Sequence, residues 1–375
     1  MRFRRYFFSP FAPVTSMFPP MRRILVIAMA GIGDTLLATP LIHELRHQLP
    51  LAQIDVAVMW PDARDFLQTN PHISNLHYQH LITAGPLANV SFLRRLGRTG
   101  YEAIINTYPQ SRTAYRMVAR VINAPIRISH IYDNASPLDR LLVNRTIPQD
   151  YALHVVENNL NLLRLIGLKA VLQEHDTEIF FTDEELKWAD AQVRSGEKMM
   201  GIHVGSGKTK NLRFKRWPID HYVALIPRLL QGDRALRILL FGGPAETEDH
   251  ERILREAKSD RVAVAPSKSL RQAAALIRKC DIFLSVDSAL MHLAAAAKVQ
   301  RQFVIESPAF NKTGEPYRQK YTLIRNPVVN GRNLEYYRYD GKGIKGSDEE
   351  LLRCMRSITV EMVHEAITAA PGIRA

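Results

Sequence analysis

At 375 residues the chain is long enough for two domains, each with its own core. Its 46% hydrophobic and 23% charged residues are those of an ordinary globular protein, and two distant cysteines, Cys280 and Cys354, speak against a disulfide framework or a structural zinc site. A net charge of +13 favours polyanions or an anionic membrane surface and does not choose between them.

Residues 1–20 set Arg2, Arg4 and Arg5 among aromatics, and Pro10, Pro13, Pro19 and Pro20 break any signal-peptide core. The segment reads either as a leader outside the fold, with Met21 an alternative start, or as a basic-aromatic tether for a membrane surface. Elsewhere the longest apolar run, Ile24–Ala30, is too short to span a bilayer.

From Ile24 onward strand and helix patterns alternate. A strand over Ile24–Met29, a helix over Leu36–Leu49 and a strand over Ile54–Met59 precede a loop-rich stretch from Phe66 to Leu96. Ala103–Asn106 reads as a strand, Thr113–Ile122 as a helix, and His154–Ile166 as one long amphipathic helix stopped by Gly167. The alternation restarts at the capping box Thr182-Asp183-Glu184-Glu185. Strand Met200–Val204, a basic loop, helix Pro218–Leu230 and strand Leu236–Phe241 follow. Helix Glu246–Lys258, strand Val262–Val264, helix Leu270–Lys279 and strand Ile282–Val286 complete the second unit. A further capping box, Ser347-Asp348-Glu349-Glu350, opens a final helix running towards Ile367. Such alternation predicts an α/β protein with two successive doubly wound parallel sheets.

Sheets of this kind bind ligands at the carboxyl ends of their strands, where the halves meet. The turns after Met29, Val204, Phe241 and Val286 are therefore the candidate site. After the first strand, Gly31 and Gly33 permit a tight turn and close approach to a ligand. Asp34 opens the next helix, either as a simple N-cap or as a working carboxylate. A dinucleotide fingerprint fails here, because Leu36 takes the third glycine position and the acid at the second strand's tip is missing. Pro40 is expected to strain the helix that contains it.

Gly205-Ser206-Gly207-Lys208-Thr209 misses the Walker A spacing by one residue. What remains is an acid-free loop with Lys208, Lys210, Arg213, Lys215 and Arg216, which either binds phosphate or is simply solvated. Gly242 and Gly243 allow a base or ribose to approach, with Glu246 accepting from ribose hydroxyls or merely acidifying a helix start. Asp287 and Ser288 mark a strand–helix junction whose N–H groups suit an anion, and His292 lies one turn on along the same face. Asp287 itself suits the hydroxyls of a sugar hung on that anion. The run Gly341-Lys342-Gly343-Ile344-Lys345-Gly346 fits G-x-G-x-x-G literally but follows no clear buried strand, and reads as a flexible linker.

Three blocks together carry a family resemblance: Gly31-Ile32-Gly33-Asp34, Lys215-Arg216-Trp217-Pro218, and Asp287-Ser288-Ala289-Leu290-Met291-His292-Leu293. From about Arg22 nearly to its end the chain resembles glycosyltransferase family 9, the lipopolysaccharide heptosyltransferases. Ala289 replaces the family's usual glycine, a change expected to narrow the donor pocket or shift the diphosphate. The resemblance implies a GT-B architecture, two Rossmann-like domains facing across a cleft. Residues 21–180 would bind acceptor, 181–345 would bind nucleotide sugar, and a terminal helix in 346–375 would cross back to the first domain.

It also implies inverting, metal-independent transfer of a heptose from ADP-heptose to a lipopolysaccharide core hydroxyl, with no cofactor; the chain holds no Asp-x-Asp motif. By matched position Asp34 would be the general base, Ser206 and Lys215 would contact the donor phosphates, and Asp287 the donor sugar. Glu246 would touch the nucleotide, and Gly242, Gly243, Ser288 and His292 would complete the donor pocket. An aspartate of ordinary pKa, about 3.9, suffices if the transition state is oxocarbenium-like and proton transfer is late. Lys215 and the helix N-terminus at Ser288 would then stabilise the leaving diphosphate. The expected partners are the nucleotide sugar, a lipid-linked saccharide acceptor and an anionic membrane surface, with the protein cytoplasmic and peripheral to the bacterial inner membrane. A GT-B enzyme using another nucleotide sugar, for O-antigen or a protein acceptor, is the alternative. A basic nucleic-acid-binding protein is a remote one, since no recognised nucleic-acid motif is present.

Overall fold

The computed structural model describes residues 21–206, 212–329 and 347–369. The leader at 1–20, Gly207, Lys208 and Lys210 of the basic loop, and the glycine run at 341–346 lie outside the described residues.

The first domain opens with β1 (Arg23–Ile27), α1 (Ile32–Leu36), α2 (Thr39–Gln48), β2 (Gln53–Val58), α3 (Pro61–Leu67) and β3 (Asn75–Tyr78). It continues through α4 (Pro86–Arg98), β4 (Ala103–Asn106), α5 (Thr113–Ile122), β5 (Ile126–Ile131), α6 (Pro137–Leu142), β6 (Arg145–Pro148) and α7 (Val155–Asn161). The second holds α8 (Asp183–Asp190), β7 (Lys198–His203), α9 (Ile219–Gly232), β8 (Leu236–Phe241), α10 (Thr247–Ala257) and β9 (Val262–Val264). Then come α11 (Leu270–Ile277), β10 (Ile282–Val286), α12 (Ala289–Ala296), β11 (Arg301–Ile305) and β12 (Tyr321–Ile324), followed by α13 (Asp348–Arg356) and α14 (Val360–Thr368).

Both sheets are parallel throughout and repeat one plan, β3-β2-β1-β4-β5-β6 and β12-β11-β10-β7-β8-β9. In that plan the order in which strands are added reverses between β1 and β4, and again between β7 and β10, which opens a crevice above each pair of strand tips. Residues of β1 point alternately to the two faces. Leu25 and Ile27 pack under α4 and α5 with Phe92, Leu96, Val118 and Ile122. Ile24 and Val26 pack the other way, onto α2, α3 and α7 through Leu41, Leu45, Phe66 and Val156. Truncating one such side chain costs about 2–5 kcal/mol.

Three local expectations are revised. The helix expected over Leu36–Leu49 is two helices, α1 and α2, broken at Leu37–Ala38. Pro40 falls in the first turn of α2, where its missing N–H leaves no bond unmade and the expected strain does not arise. The helix over His154–Ile166 tightens after Asn161 into a 3₁₀ turn, Leu162–Ile166, ended by Gly167 at φ 75°. The terminal helix does not cross back to the first domain within the described residues. It is two helices, separated where Thr359 caps α14 by accepting the Met362 N–H at 3.2 Å. Met355, Ile358, Val363 and Ile367 bury against Trp217, Leu225 and Ile226 of the second domain, and that apolar burial holds the segment there.

Residues 168–181 connect the domains and are stitched to the first. The Glu44 carboxylate accepts the N–H groups of Val171 and Leu172 at 2.9 and 3.1 Å, and Thr39 Oγ1 accepts that of Glu178 at 3.0 Å. Buried Arg271, held by Glu185 of its own domain at 2.6 Å, reaches across the seam to donate to Thr69, while its own N–H reaches Asp65 at 3.1 Å. His154 meets the Glu315 carbonyl at 3.0 Å beside a Tyr317–Glu157 bond.

Candidate active site

β1 delivers the chain to the crevice, and the turn after it positions Asp34. This residue is the third of α1 and so is not the N-cap; its Oδ2 reaches back to accept the Gly31 N–H at 2.9 Å. Burial pushes its pKa from 3.8 up to about 6, against the Gly31 hydrogen bond and the Lys215 charge, while the Asp287 charge adds to the rise. The expectation of an aspartate of ordinary pKa is therefore corrected: Asp34 is the stronger base. The influence of Lys215 and Asp287 also shows that the two domains converge here.

Gly33 explains how they converge. A Cβ on it would lie 2.8 Å from His292 Cδ2 and 3.6 Å from the Ala289 Cα, so α1 crosses α12 at a contact that only glycine allows. Its small size serves the domain seam. Ala289, where the family pattern has glycine, stands at the same crossing.

In the second domain three strand tips meet. Lys215, at the end of the 3₁₀ turn Leu212–Lys215 beyond β7, donates its Nζ to Asp287 Oδ2 at 2.5 Å, the side chains being 11% and 16% exposed. Ser307, beyond β11, donates its Oγ to the same oxygen at 3.4 Å. A close, mostly buried ion pair of this kind is strongly destabilised when one partner is removed. Ser288 is the N-cap of α12, yet its hydroxyl bonds His203 Nδ1 at 3.0 Å and leaves the first turn without a side-chain cap. Burial holds His203 neutral, its pKa pushed down to about 3, and does the same to His292, pushed to about 4. His292 is buried in the seam, with no hydrogen-bond partner on Nδ1 among the described residues. Ser206 is buried directly beyond the end of β7.

Glu246 is already engaged within the protein. It is 5% exposed, with Oε1 accepting from Arg216 at 2.6 Å and Oε2 from the Gly243 N–H at 2.9 Å. A Cβ on Gly205 would fall 2.3 Å from Glu246 Oε1, so the carboxylate packs against both the Gly205 and the Gly242-Gly243 turns. In this structure it braces the loops that would face a nucleotide. Arg216, expected in a phosphate loop, is spent on Glu246 and on Asp249 at 2.8 Å. Sequence reasoning missed His203, Ser307 and this brace. His203 had a signal, a polar residue ending an otherwise apolar strand; Ser307 follows a strand that the reading did not define.

Among the described residues His43, His72 and Glu178 gather ligand-type atoms within 4.8 Å. The two imidazoles stack at 4.0 Å and 11°, which sets their lone pairs side by side and not converging on one point. At the seam, by contrast, a carboxylate able to take a proton faces a cation and a helix N-terminus able to hold an anion.

The glycosyltransferase family 9 (heptosyltransferase) model matches residues 89–337. Lipopolysaccharide heptosyltransferase 3 of Escherichia coli K12 is 26% identical over 279 residues, covering 71% of this chain and 77% of that one. The crystal structure of a family 9 glycosyl transferase from Veillonella parvula has a TM-score of 0.73 at 19% identity, covering 94% of this chain and 98% of that chain. The E. coli ADP-heptose LPS heptosyltransferase II structure has a TM-score of 0.70 at 20% identity, covering 92% and 98%. These structural matches show the GT-B fold, and the family match, which spans most of the chain, makes it a glycosyltransferase belonging to glycosyltransferase family 9.

Proposed function

We propose that the protein transfers a heptose from ADP-heptose to a lipopolysaccharide core hydroxyl, with inversion and without a metal, using Asp34 as general base. The observation that carries this reading is the raised pKa of Asp34, about 6, opposite the Lys215–Asp287 pair. The acceptor hydroxyl attacks the anomeric carbon and gives its proton to Asp34, and the bond to the nucleoside diphosphate breaks on the opposite face. Near neutral pH such a carboxylate is mostly ionised, yet it is more basic than an ordinary aspartate.

Lys215, Ser206 and the first-turn N–H groups of α12 would stabilise the departing diphosphate. Asp287 would hold donor-sugar hydroxyls, steadied by Lys215 and Ser307, and His292 Nδ1 would add a polar contact. The turn Gly242-Gly243 would take the base or ribose, with Glu246 acting on the nucleotide through that turn. The choice of ADP-heptose and of a core acceptor is supported by the relatives described as lipopolysaccharide and ADP-heptose heptosyltransferases. A lipid-linked acceptor would place the protein on the cytoplasmic face of the inner membrane as a peripheral enzyme. The net charge of +13 supports such contact, and no helix among the described residues is long and apolar enough to cross a membrane.

The test is transfer of labelled heptose from ADP-heptose to a core saccharide by the wild type and by Asp34→Ala. Turnover that survives in the folded variant removes Asp34 from the role. Thermal shifts with ADP, GDP and UDP sugars test the donor separately, since only the true nucleotide should raise the melting temperature strongly.

A further inference from the structure

α4, α5 and α6 form one continuous layer over a single face of the first sheet, and its outer surface is unusual. Of the fourteen large hydrophobic side chains exposed among the described residues, six stand on these helices: Leu87, Val90, Met117, Val121, Leu138 and Leu141. Leu87 is 88% exposed and Leu141 74%. They are interleaved with exposed arginines, Arg94, Arg95 and Arg98 on α4, Arg120 on α5 and Arg140 on α6. From Pro86 to Tyr132 the sole acid is Glu102, which is engaged with the Arg22 N–H at 2.6 Å. Asp139, the acid of α6, is buried against Arg116 at 3.0 Å.

We infer that the outer face of α4, α5 and α6 docks on an anionic lipid bilayer. Apolar side chains at that depth enter the headgroup boundary while arginines beside them meet lipid phosphates. A protein partner fits less well, because protein interface cores are depleted of charge, whereas here each of the three helices carries exposed arginines together with its exposed apolar groups. Helices of a parallel sheet begin at the carboxyl ends of the strands they follow. Leu87, Val90 and Leu138 therefore lie at the cleft end of the layer, and Arg94, Arg95, Arg98 and Arg120 farther from it. Docked this way, the cleft mouth opens beside the membrane. The inference deepens the proposed use of a lipid-linked acceptor, but its evidence is the surface itself.

The full chain is sedimented with phosphatidylglycerol–phosphatidylethanolamine vesicles and with pure phosphatidylcholine vesicles, at low and high salt. Binding is expected only to the anionic vesicles, and it should weaken with salt. The R94Q/R95Q/R98Q variant is expected to lose about 100-fold in affinity, and L87D/L141D at least about 10-fold. R94K/R95K/R98K, which keeps the charge, should stay within about 3-fold of wild type. Wild-type sedimentation by the glutamine and aspartate variants overturns the inference. So does loss confined to R2Q/R4Q/R5Q, which would assign binding to the leader. A wild-type dimer that L87D/L141D dissolves, without vesicle binding, overturns it in favour of a second copy. Stabilisation by ADP, followed in every variant, reports the donor site alone, so a failure of the transfer reading is separable from a failure of the docking face.

Discussion

Two aspartates end two equivalent pieces of the molecule and have opposite surroundings. Asp34 follows β1 and Asp287 follows β10, each at the switch point of its own parallel sheet. Asp287 is held by Lys215 at 2.5 Å and by Ser307 at 3.4 Å. Among the described residues Asp34 has only the Gly31 N–H at 2.9 Å, and burial lifts its pKa to about 6. The difference lies in how many partners the fold supplies, not in the residue type. A partnered carboxylate is suited to bind and orient, and one with few partners to take a proton, which is the division of labour proposed for Asp287 and Asp34. Moreover the first acts on the second, since the Asp287 charge pushes the Asp34 pKa up and the Lys215 charge pulls it down.

The largest effect should come from removing the proposed base. Asp34→Asn keeps the shape and can keep the Gly31 bond, and is expected to lower kcat by about 10²–10⁴ with ADP affinity unchanged. Calorimetry with ADP beside a transfer assay checks both halves; weakened ADP binding would turn Asp34 into a donor contact. Lys215→Ala should cost about 10²–10³ in rate and also weaken ADP, because it removes the cation expected at the diphosphate and strands Asp287. The pH profile sharpens the comparison. With Asp34 protonated at low pH, kcat/KM should rise through about 6 and then level. Lys215→Ala should move that limb to higher pH and Asp287→Asn to lower pH, because the two charges act on Asp34 with opposite signs. Limbs that do not move would mean the two half-sites are electrically separate.

A smaller effect is expected at the seam. In Gly33→Ala the new Cβ would sit 2.8 Å from His292 Cδ2, so α1 and α12 must move apart by a few tenths of an ångström or more. Misplacement on that scale is expected to cost about 10-fold in kcat with little change in ADP affinity. An unchanged kcat would show that the crossing does not set the distance between base and donor.

Much of this was legible in the sequence, for identifiable reasons. β1, β2, β4, β7, β8 and β10 are short apolar runs between turn signals, so the two α/β units could be read directly. The strands left unread were β3, β5, β6, β11 and β12. Edge strands such as Asn75–Tyr78 and Arg145–Pro148 are only partly buried and carry polar residues, and Ile126–Ile131 and Arg301–Ile305 begin with arginine or hold it at their second position. The candidate site was legible as a set of turns, because glycines and acids after apolar strands are local features. The partner of each acid was not. Lys215 and Asp287 are 72 positions apart and Gly33 meets His292 across the domain seam. Whether Glu246 faces a ribose or Arg216 depends on a loop packing that spacing does not encode. The last helices were legible in the same partial way: their apolar stripe announces burial without naming the surface that buries it.

The smallest prediction returns to Asp34 and concerns stability. Its folded pKa, about 6, lies above the 3.8 of an unhindered aspartate, so the fold favours the protonated form. That preference is fully present below about pH 4 and is lost as pH rises through 6, where the ionised carboxylate must be kept in a site that solvates it poorly. A rise from 3.8 to about 6 corresponds to at most about 3 kcal/mol, and partial access to solvent reduces it to roughly 1–2 kcal/mol. Asp34→Asn removes the charge while leaving a hydrogen-bond acceptor for Gly31. The variant should therefore melt a few degrees above wild type at pH 8 and level with it at pH 4. Equal gains at both pH values would assign the stabilisation to packing and remove the strained ionised state. A loss at pH 8 would show that the carboxylate is better solvated than its surroundings imply, and Asp34 would then resemble Asp287 after all.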